Sequence, residues 1–182
     1  MSDQAADFIA DARDPLEGSV VQDRYRIVRR LGEGGMGRVY EGEHLLVKRR
    51  VAIKCLHAHY ASRPDVLGRF LREAQAASAI GNEHIVDVLD LGKMPDGSPF
   101  MAMEFLAGRD LRQTLDELGT LPVGRAARIV RQVCDAVAAA HEKAIVHRDL
   151  KPENVFLIQR GDNPDFVKVL DFGIAKIGRA HV

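Results

Sequence analysis

The chain has 182 residues, 46% apolar and 29% charged, and its 26 basic side chains balance 26 acidic ones. That apolar share can build a sizeable core, and the length suits one domain or part of a larger one. Zero net charge gives no case for nucleic acid as a partner, no apolar run is long enough to span a bilayer, and the opening MSDQAADF lacks the regions of a signal peptide. Cys55 and Cys134 are far apart and in no CxxC arrangement. This speaks against a disulfide framework or a zinc site and for a reducing, cytoplasmic setting.

Residues 1–20 hold five acids against one base. Residues 1–23 are therefore expected to be an acidic leader without fixed structure. Tyr25, Ile27 and Leu31 then alternate with polar residues, as in a strand. A glycine cluster follows, then strands at Val39–Glu43 and Val51–Leu56. From Pro64 the period changes to helical: Leu67, Phe70, Leu71, Ala74 and Ala77 or Ser78 share a face, and Gly81-Asn82 ends it. Two more strands, around Ile85–Leu91 and Phe100–Phe105, flank the turn Met94-Pro95-Asp96-Gly97. The first hundred residues thus read as a five-stranded antiparallel sheet with one helix. Beyond Gly108 the pattern is helical: Leu111, Leu115 and Leu118 mark a short helix. Ala126, Val130, Val133, Val137 and Ala140 mark a longer one opened by Pro122. Strands at Val155–Ile158 and Phe166–Leu170 close the chain.

Four stretches carry chemistry. Gly32, Gly34 and Gly37 form GxGxxG, where missing Cβ atoms let backbone amides approach phosphate oxygens. Alone this is a weak signal, shared with Rossmann turns and plain glycine-rich hairpins. A Rossmann turn needs a helix directly after the loop, and the residues that follow alternate like a strand. Lys54 closes the apolar strand Val-Ala-Ile-Lys. Such a lysine is more often a snorkelling surface residue. Glu73, amid the apolar helix, offers the counter-ion that a buried lysine needs. In His147-Arg148-Asp149-Leu150-Lys151-Pro152-Glu153-Asn154, a proline-containing loop can aim Asp149 and Asn154 at one point. Asp171 ends a strand before Phe172 and Gly173. A few oxygen ligands of this kind suit a hard cation such as Mg2+, and a carboxylate not bound to metal can accept a hydroxyl proton.

In this order, the four stretches resemble the eukaryotic-like (Hanks-type) protein kinase superfamily, the bacterial Ser/Thr kinases in particular, from about Arg24 to Lys176. The resemblance implies an α+β, bilobal, protein-kinase-like fold. Residues 24–106 would form the N-lobe with its hinge and 107–176 part of a mainly helical C-lobe. It implies phosphoryl transfer from ATP, with Mg2+ or Mn2+, to unknown protein substrates. Gly32, Gly34 and Gly37 would cover the phosphates. Lys54 would contact them and pair with Glu73. Asp149 would orient and deprotonate the hydroxyl, and Lys151 would neutralise the γ-phosphate. Asn154 and Asp171 would hold the metal. Leu31, Val39 and Ala52 would pack on the adenine, with Met103 as gatekeeper. The backbones of Glu104 and Leu106 would bind its edge, and Asp110 would meet the ribose. His147 and Phe172 are expected to be packed structural residues.

The chain departs from the family after Lys176. No APE-like triplet or following large helices are encoded, so the chain alone is expected to bind nucleotide at best, without turnover. A nucleotide-binding module and a small-molecule phosphotransferase of related fold are the alternative readings. Residues 177–182, IGRAHV, resemble the in-frame translation of a sequencing adapter and are expected to be a non-native tail. Bacterial kinases of this kind often carry a downstream membrane span, so the parent protein is open to anchoring that this chain does not encode.

Overall fold

The structure, a computed structural model, describes residues 14–172. Residues 1–13 of the expected leader, the expected tail and Gly173–Lys176 lie outside the described residues.

An antiparallel sheet is built from β1 (Val20–Val21), β2 (Tyr25–Glu33), β3 (Gly37–His44), β4 (Arg49–Leu56), β5 (Val88–Lys93) and β6 (Pro99–Glu104), in the order β1-β2-β3-β4-β6-β5. Five strands match the expectation. The sixth is β1, where Val20 and Val21 pair with Arg26 and Tyr25. This corrects the reading of residues 14–23 as an unstructured leader. Val21 is buried, Leu16 packs on the sheet core, and the Tyr40 hydroxyl donates to Asp14 Oδ2 at 3.0 Å. Burial of the two apolar side chains outweighs the acidic composition around them.

Alternation along β4 decides what the sheet presents on each side. Val51, Ile53 and Cys55 point into one core with Ile27, Tyr40 and Phe100. Ala52, Lys54 and Leu56 face α2 (Pro64–Ile80), which packs through Val66, Phe70 and Ala74. Proline stands at the start of α2, and Gly81 ends it with φ +66°, a left-handed value that glycine adopts without strain. Leu67 and Leu71, expected on the buried face, are only half-buried, and Val66 takes the inner place. A single turn, α1 (Ala58–Ala61), precedes α2.

The second part holds β7 (Gly108–Asp110), α3 (Leu111–Leu118), α4 (Val123–Glu142), a 3-10 turn at Pro152–Asn154, β8 (Val155–Arg160) and β9 (Asn163–Val169). Strands β7, β8 and β9 form a small antiparallel sheet. Helix α4 packs on β9 through Ile129, Gln132, Ala136 and Ala140, whereas Val130, expected inside, is 57% exposed. Gln132 explains the shift. Its amide donates to Asp165 O at 2.9 Å, and its Oε1 accepts from Val167 N–H at 3.2 Å. A polar side chain thus clamps the helix to the strand edge and turns its neighbour Ile129 inward.

The two parts are joined at the loop after α2. Val86 N–H donates to Val169 O at 3.1 Å, and Val169 N–H donates to His84 O at 2.7 Å. The Lys168 ammonium reaches Glu104 Oε1 at 2.5 Å and Ile85 O at 3.2 Å. This lysine leaves the strand two residues before Leu170 and ties it to the end of β6.

Candidate active site

Lys54 sits on the α2 side of β4, and Glu73 sits one helical turn after Phe70, so packing of the helix brings them together. Lys54 Nζ lies 2.7 Å from Glu73 Oε1 and 2.7 Å from Asp171 Oδ1. The Lys54 and Glu73 side chains are 17% and 15% exposed, so the ion pair is largely dry. Burial works against charge on Lys54, but the carboxylates of Asp171 and Glu73 overcome it and hold the ammonium above its ordinary range. Glu73 is pushed up to about 7, by burial first and then by repulsion from Asp171, with Lys54 opposing both. One ammonium therefore serves two carboxylates, and beside it the Asp171 carboxyl is held below its ordinary range.

Asp171 adopts φ +51°, a left-handed backbone that aspartate tolerates better than most residues. Its chain neighbour Leu170, the residue after β9, is fixed on both sides. Leu170 N–H donates to Asn154 O at 2.9 Å, and its carbonyl lies 2.8 Å from His147 Nε2. A carbonyl only accepts, so that imidazole nitrogen carries hydrogen, and Nδ1 accepts from Asp149 N–H at 3.3 Å. His147 is thereby a neutral spacer between the two loops. Burial lowers its pKa, and the Phe172 ring packs on it at 4.6 Å.

Asp149 lies on the exposed side, 57% open, with Lys151 Nζ at 3.0 Å from its Oδ2. The Lys151 hydrogen bond holds the Asp149 carboxyl below the usual range. Asn154 Nδ2 donates to the Asp149 backbone carbonyl at 2.8 Å, which leaves Asn154 Oδ1 as the acceptor end of the amide. Asp149, Lys151, Asn154, Asp171, Lys54 and Glu73 all line one cavity of about 350 Å³. Gly34, Gly37 and Val39 roof it, and Val66, Arg69 and Phe70 of α2 close its side.

Other expected residues lie elsewhere. Ala52, Met103 and Leu106 belong to an apolar cluster that includes Leu170 and Phe70. Leu31 is 41% exposed, and Gly32 pairs with Val39 in the sheet. The Glu104 side chain is committed to Lys168, and its N–H donates to Asp87 O at 3.0 Å. Asp110 caps α3, its Oδ1 accepting from Gln113 N–H at 2.8 Å. None of these seven lines the cavity. Sequence reasoning missed Arg69 and Leu170. Arg69 lies four residues before Glu73, the helical spacing that puts both on one face.

A protein kinase domain model matches residues 25–182. The chain belongs to the protein kinase family. Among its curated relatives are the serine/threonine-protein kinase Pkn1 of Myxococcus xanthus, 50% identical over 96% of this chain, and pkn3 of the same organism, 45% identical over 90%. PrkC of Bacillus subtilis is 40% identical over 88%. The chain spans 24%, 30% and 24% of these three relatives. The Mycobacterium tuberculosis PknI kinase domain shares the fold, with a TM-score of 0.72 at 33% identity over 88% of this chain and 63% of that one. The kinase resemblance and the α+β, bilobal fold are thereby established, and the family is one of phosphotransferases. No described helix is long and apolar enough to cross a membrane.

Proposed function

We propose that the protein containing this chain transfers the γ-phosphoryl group of ATP to a serine or threonine hydroxyl of a protein substrate. The observation that carries this reading is the double contact of Lys54 with Glu73 and Asp171, inside a cavity that also gathers Asp149, Lys151 and Asn154.

Phosphoryl transfer asks mainly for positioning and charge neutralisation. Lys54, steadied by Glu73, points an ammonium at the α- and β-phosphates. Gly34 and Gly37 cover the phosphates with backbone amides. A Cβ at Gly34 would meet nothing within 4 Å, which leaves room beneath that arm for a ligand. Ala52, Met103 and Leu106 supply apolar contact for the adenine, with Leu31 and Val39 at its rim. The backbones of Glu104 and Leu106 take its polar edge, and Asp110 takes the ribose.

The donor set fits a hard divalent cation. Asn154 Oδ1 and the Asp171 oxygen away from Lys54 are two protein oxygens on one cavity. Mg2+ favours few protein ligands completed by phosphate oxygens and water. Among the described residues no cluster of three or more His, Cys, Asp or Glu forms a closed metal cage. When bound, the cation, Mg2+ or Mn2+, neutralises phosphate charge. Asp149 accepts the hydroxyl proton as the new oxygen–phosphorus bond forms and the bond to the leaving ADP oxygen breaks. Lys151 neutralises the transferred group and keeps Asp149 ionised.

The experiment is ATP-dependent labelling of Ser/Thr protein substrate by the full-length protein and its Asp171→Asn variant. The proposal expects labelling that needs Mg2+ and is lost in the variant. Undiminished labelling by Asp171→Asn would sink the metal assignment. For the 182-residue chain alone, the expected result is thermal stabilisation by Mg-ATP.

A further inference from the structure

We propose that His57 is the latch of the glycine loop, a positioning residue that holds the hairpin tip closed over the cavity. The tip is narrow. Gly34 N–H donates to Gly37 O at 2.8 Å, and Gly37 N–H donates to Gly34 O at 3.3 Å, leaving only Gly35 and Met36 between them. His57 follows the last residue of β4 and grips the tip and the outgoing arm. Its backbone N–H donates to Met36 O at 3.1 Å, and its ring Nε2 lies 3.2 Å from Gly34 O. The carbonyl can only accept, so Nε2 is the donor.

The ring is held for this task. His59 stacks behind it at 5.5 Å with planes 12° apart, and Tyr60 lies beyond at 6.5 Å. Glu33 Oε1, one residue before the tip, is 3.7 Å from Nε2 and also accepts from Arg38 Nε at 3.1 Å. The return arm is pinned independently, because Gly37 presses so closely on β4 that a Cβ there would lie 1.9 Å from Cys55 O. The outgoing arm has no such packing: Gly32, Gly34 and Gly35 all face open space. His57 therefore supplies to the outgoing arm what close packing supplies to the returning one. It does so from outside the nucleotide cavity, which its side chain does not line.

A loop that must cover phosphates binds more tightly when its closed shape is already populated. A single neutral hydrogen bond contributes about 0.5–1.5 kcal/mol, which converts to about a 2- to 12-fold change in the closed-to-open ratio. The inference about affinity rests on the proposed nucleotide site; the loop geometry does not.

The test compares the 182-residue chain with His57→Ala, His57→Phe and His57→Gln. Amide exchange of Gly34 and Gly37 is read without ligand, and the Kd of a non-hydrolysable ATP analogue is read with Mg2+. Loss of the ring donor in Ala and Phe should speed exchange and weaken binding, each about 2- to 12-fold. Gln places an amide N–H near the position of Nε2 and should restore both. A purely structural role would leave Gln as impaired as Ala, and that outcome overturns the latch, as does unchanged exchange in Ala and Phe. Phe keeps the ring stacking and serves if Ala does not fold. If the wild-type chain binds no nucleotide, the proposed site fails, and the exchange data still decide the latch.

Discussion

His147 shows how a single side chain sets the geometry of two loops without entering the chemistry. Its burial disfavours the imidazolium, and both ring nitrogens are committed, one as donor to Leu170 O and one as acceptor from Asp149 N–H. A group whose folded pKa is depressed destabilises the fold once the unfolded chain begins to take up its proton. Stability from this residue is therefore intact above about pH 6.5 and falls as pH drops below it towards the folded pKa. Urea titrations at pH 7.5 and pH 5 should show a smaller loss for His147→Gln than for the wild type; equal losses would contradict the assignment. Glu73 is the second residue to test. It shares Lys54 with Asp171, so Glu73→Ala leaves the lysine with one partner and a freer head group. A hydrogen bond to a charged group contributes about 1.5–3 kcal/mol, so kcat/KM of the full-length protein should fall roughly 10- to 150-fold. Steady-state kinetics reads this, and an unchanged value would remove Glu73 from the site. At this scale the gathering of Lys54, Asp149, Asn154 and Asp171 around one cavity was legible because each sits in a local motif. The duties of the Glu104 and Asp110 side chains were not, since the partner of Glu104 lies 64 residues away on β9 and Asp110 had to be seen beginning a helix.

The glycine loop separates two reasons for glycine at the scale of an element. Gly37 is demanded by close approach to β4, whereas Gly34 faces open space. Gly37→Ala should lower stability measurably, because backbone rather than a flexible side chain must move. Gly34→Ala should stay within about 1 kcal/mol of the wild type while weakening nucleotide binding. Thermal melts with and without Mg-ATP check both, and equal destabilisation would contradict the assignment. Helix α2 is anchored by Phe70, which is 3% exposed and shares a cluster with Ala74, Met101 and Met103. Phe70→Ala should cost about 3–5 kcal/mol by chemical denaturation. Strands of six or more residues and the helices α2, α3 and α4 were visible from periodicity alone. Short elements escaped: β1 has two residues, β7 three and α1 four, too few for a repeating pattern to emerge. The face of α4 was misjudged by one position, because a buried glutamine carries no hydrophobic signal even when it is the residue that docks the helix.

Across the whole molecule, the loop after α2, the end of β6 and strand β9 meet at one buried ion pair. Lys168 and Glu104 have side chains 8% and 15% exposed. Removing one partner from such a pair leaves an uncompensated charge and typically costs about 3–5 kcal/mol, whereas an apolar replacement of both is often near neutral. Lys168→Met should therefore be more destabilising than Lys168→Met combined with Glu104→Leu, and the reverse order in chemical denaturation would contradict this role. No sequence motif announces the pair, because its partners come from segments that approach only once both parts have folded. The kinase architecture itself was legible, since the order of glycine loop, lysine, glutamate and two aspartate loops constrains how the elements must converge. The central claim is that this convergence serves phosphoryl transfer with Asp149 as the base. Its most direct test is incorporation of γ-phosphate from Mg-ATP into serine or threonine by the full-length protein and by Asp149→Asn. The account expects the wild type to label and the variant to fall by about 10²–10⁴-fold with its fold intact; labelling by Asp149→Asn at the wild-type rate would contradict it.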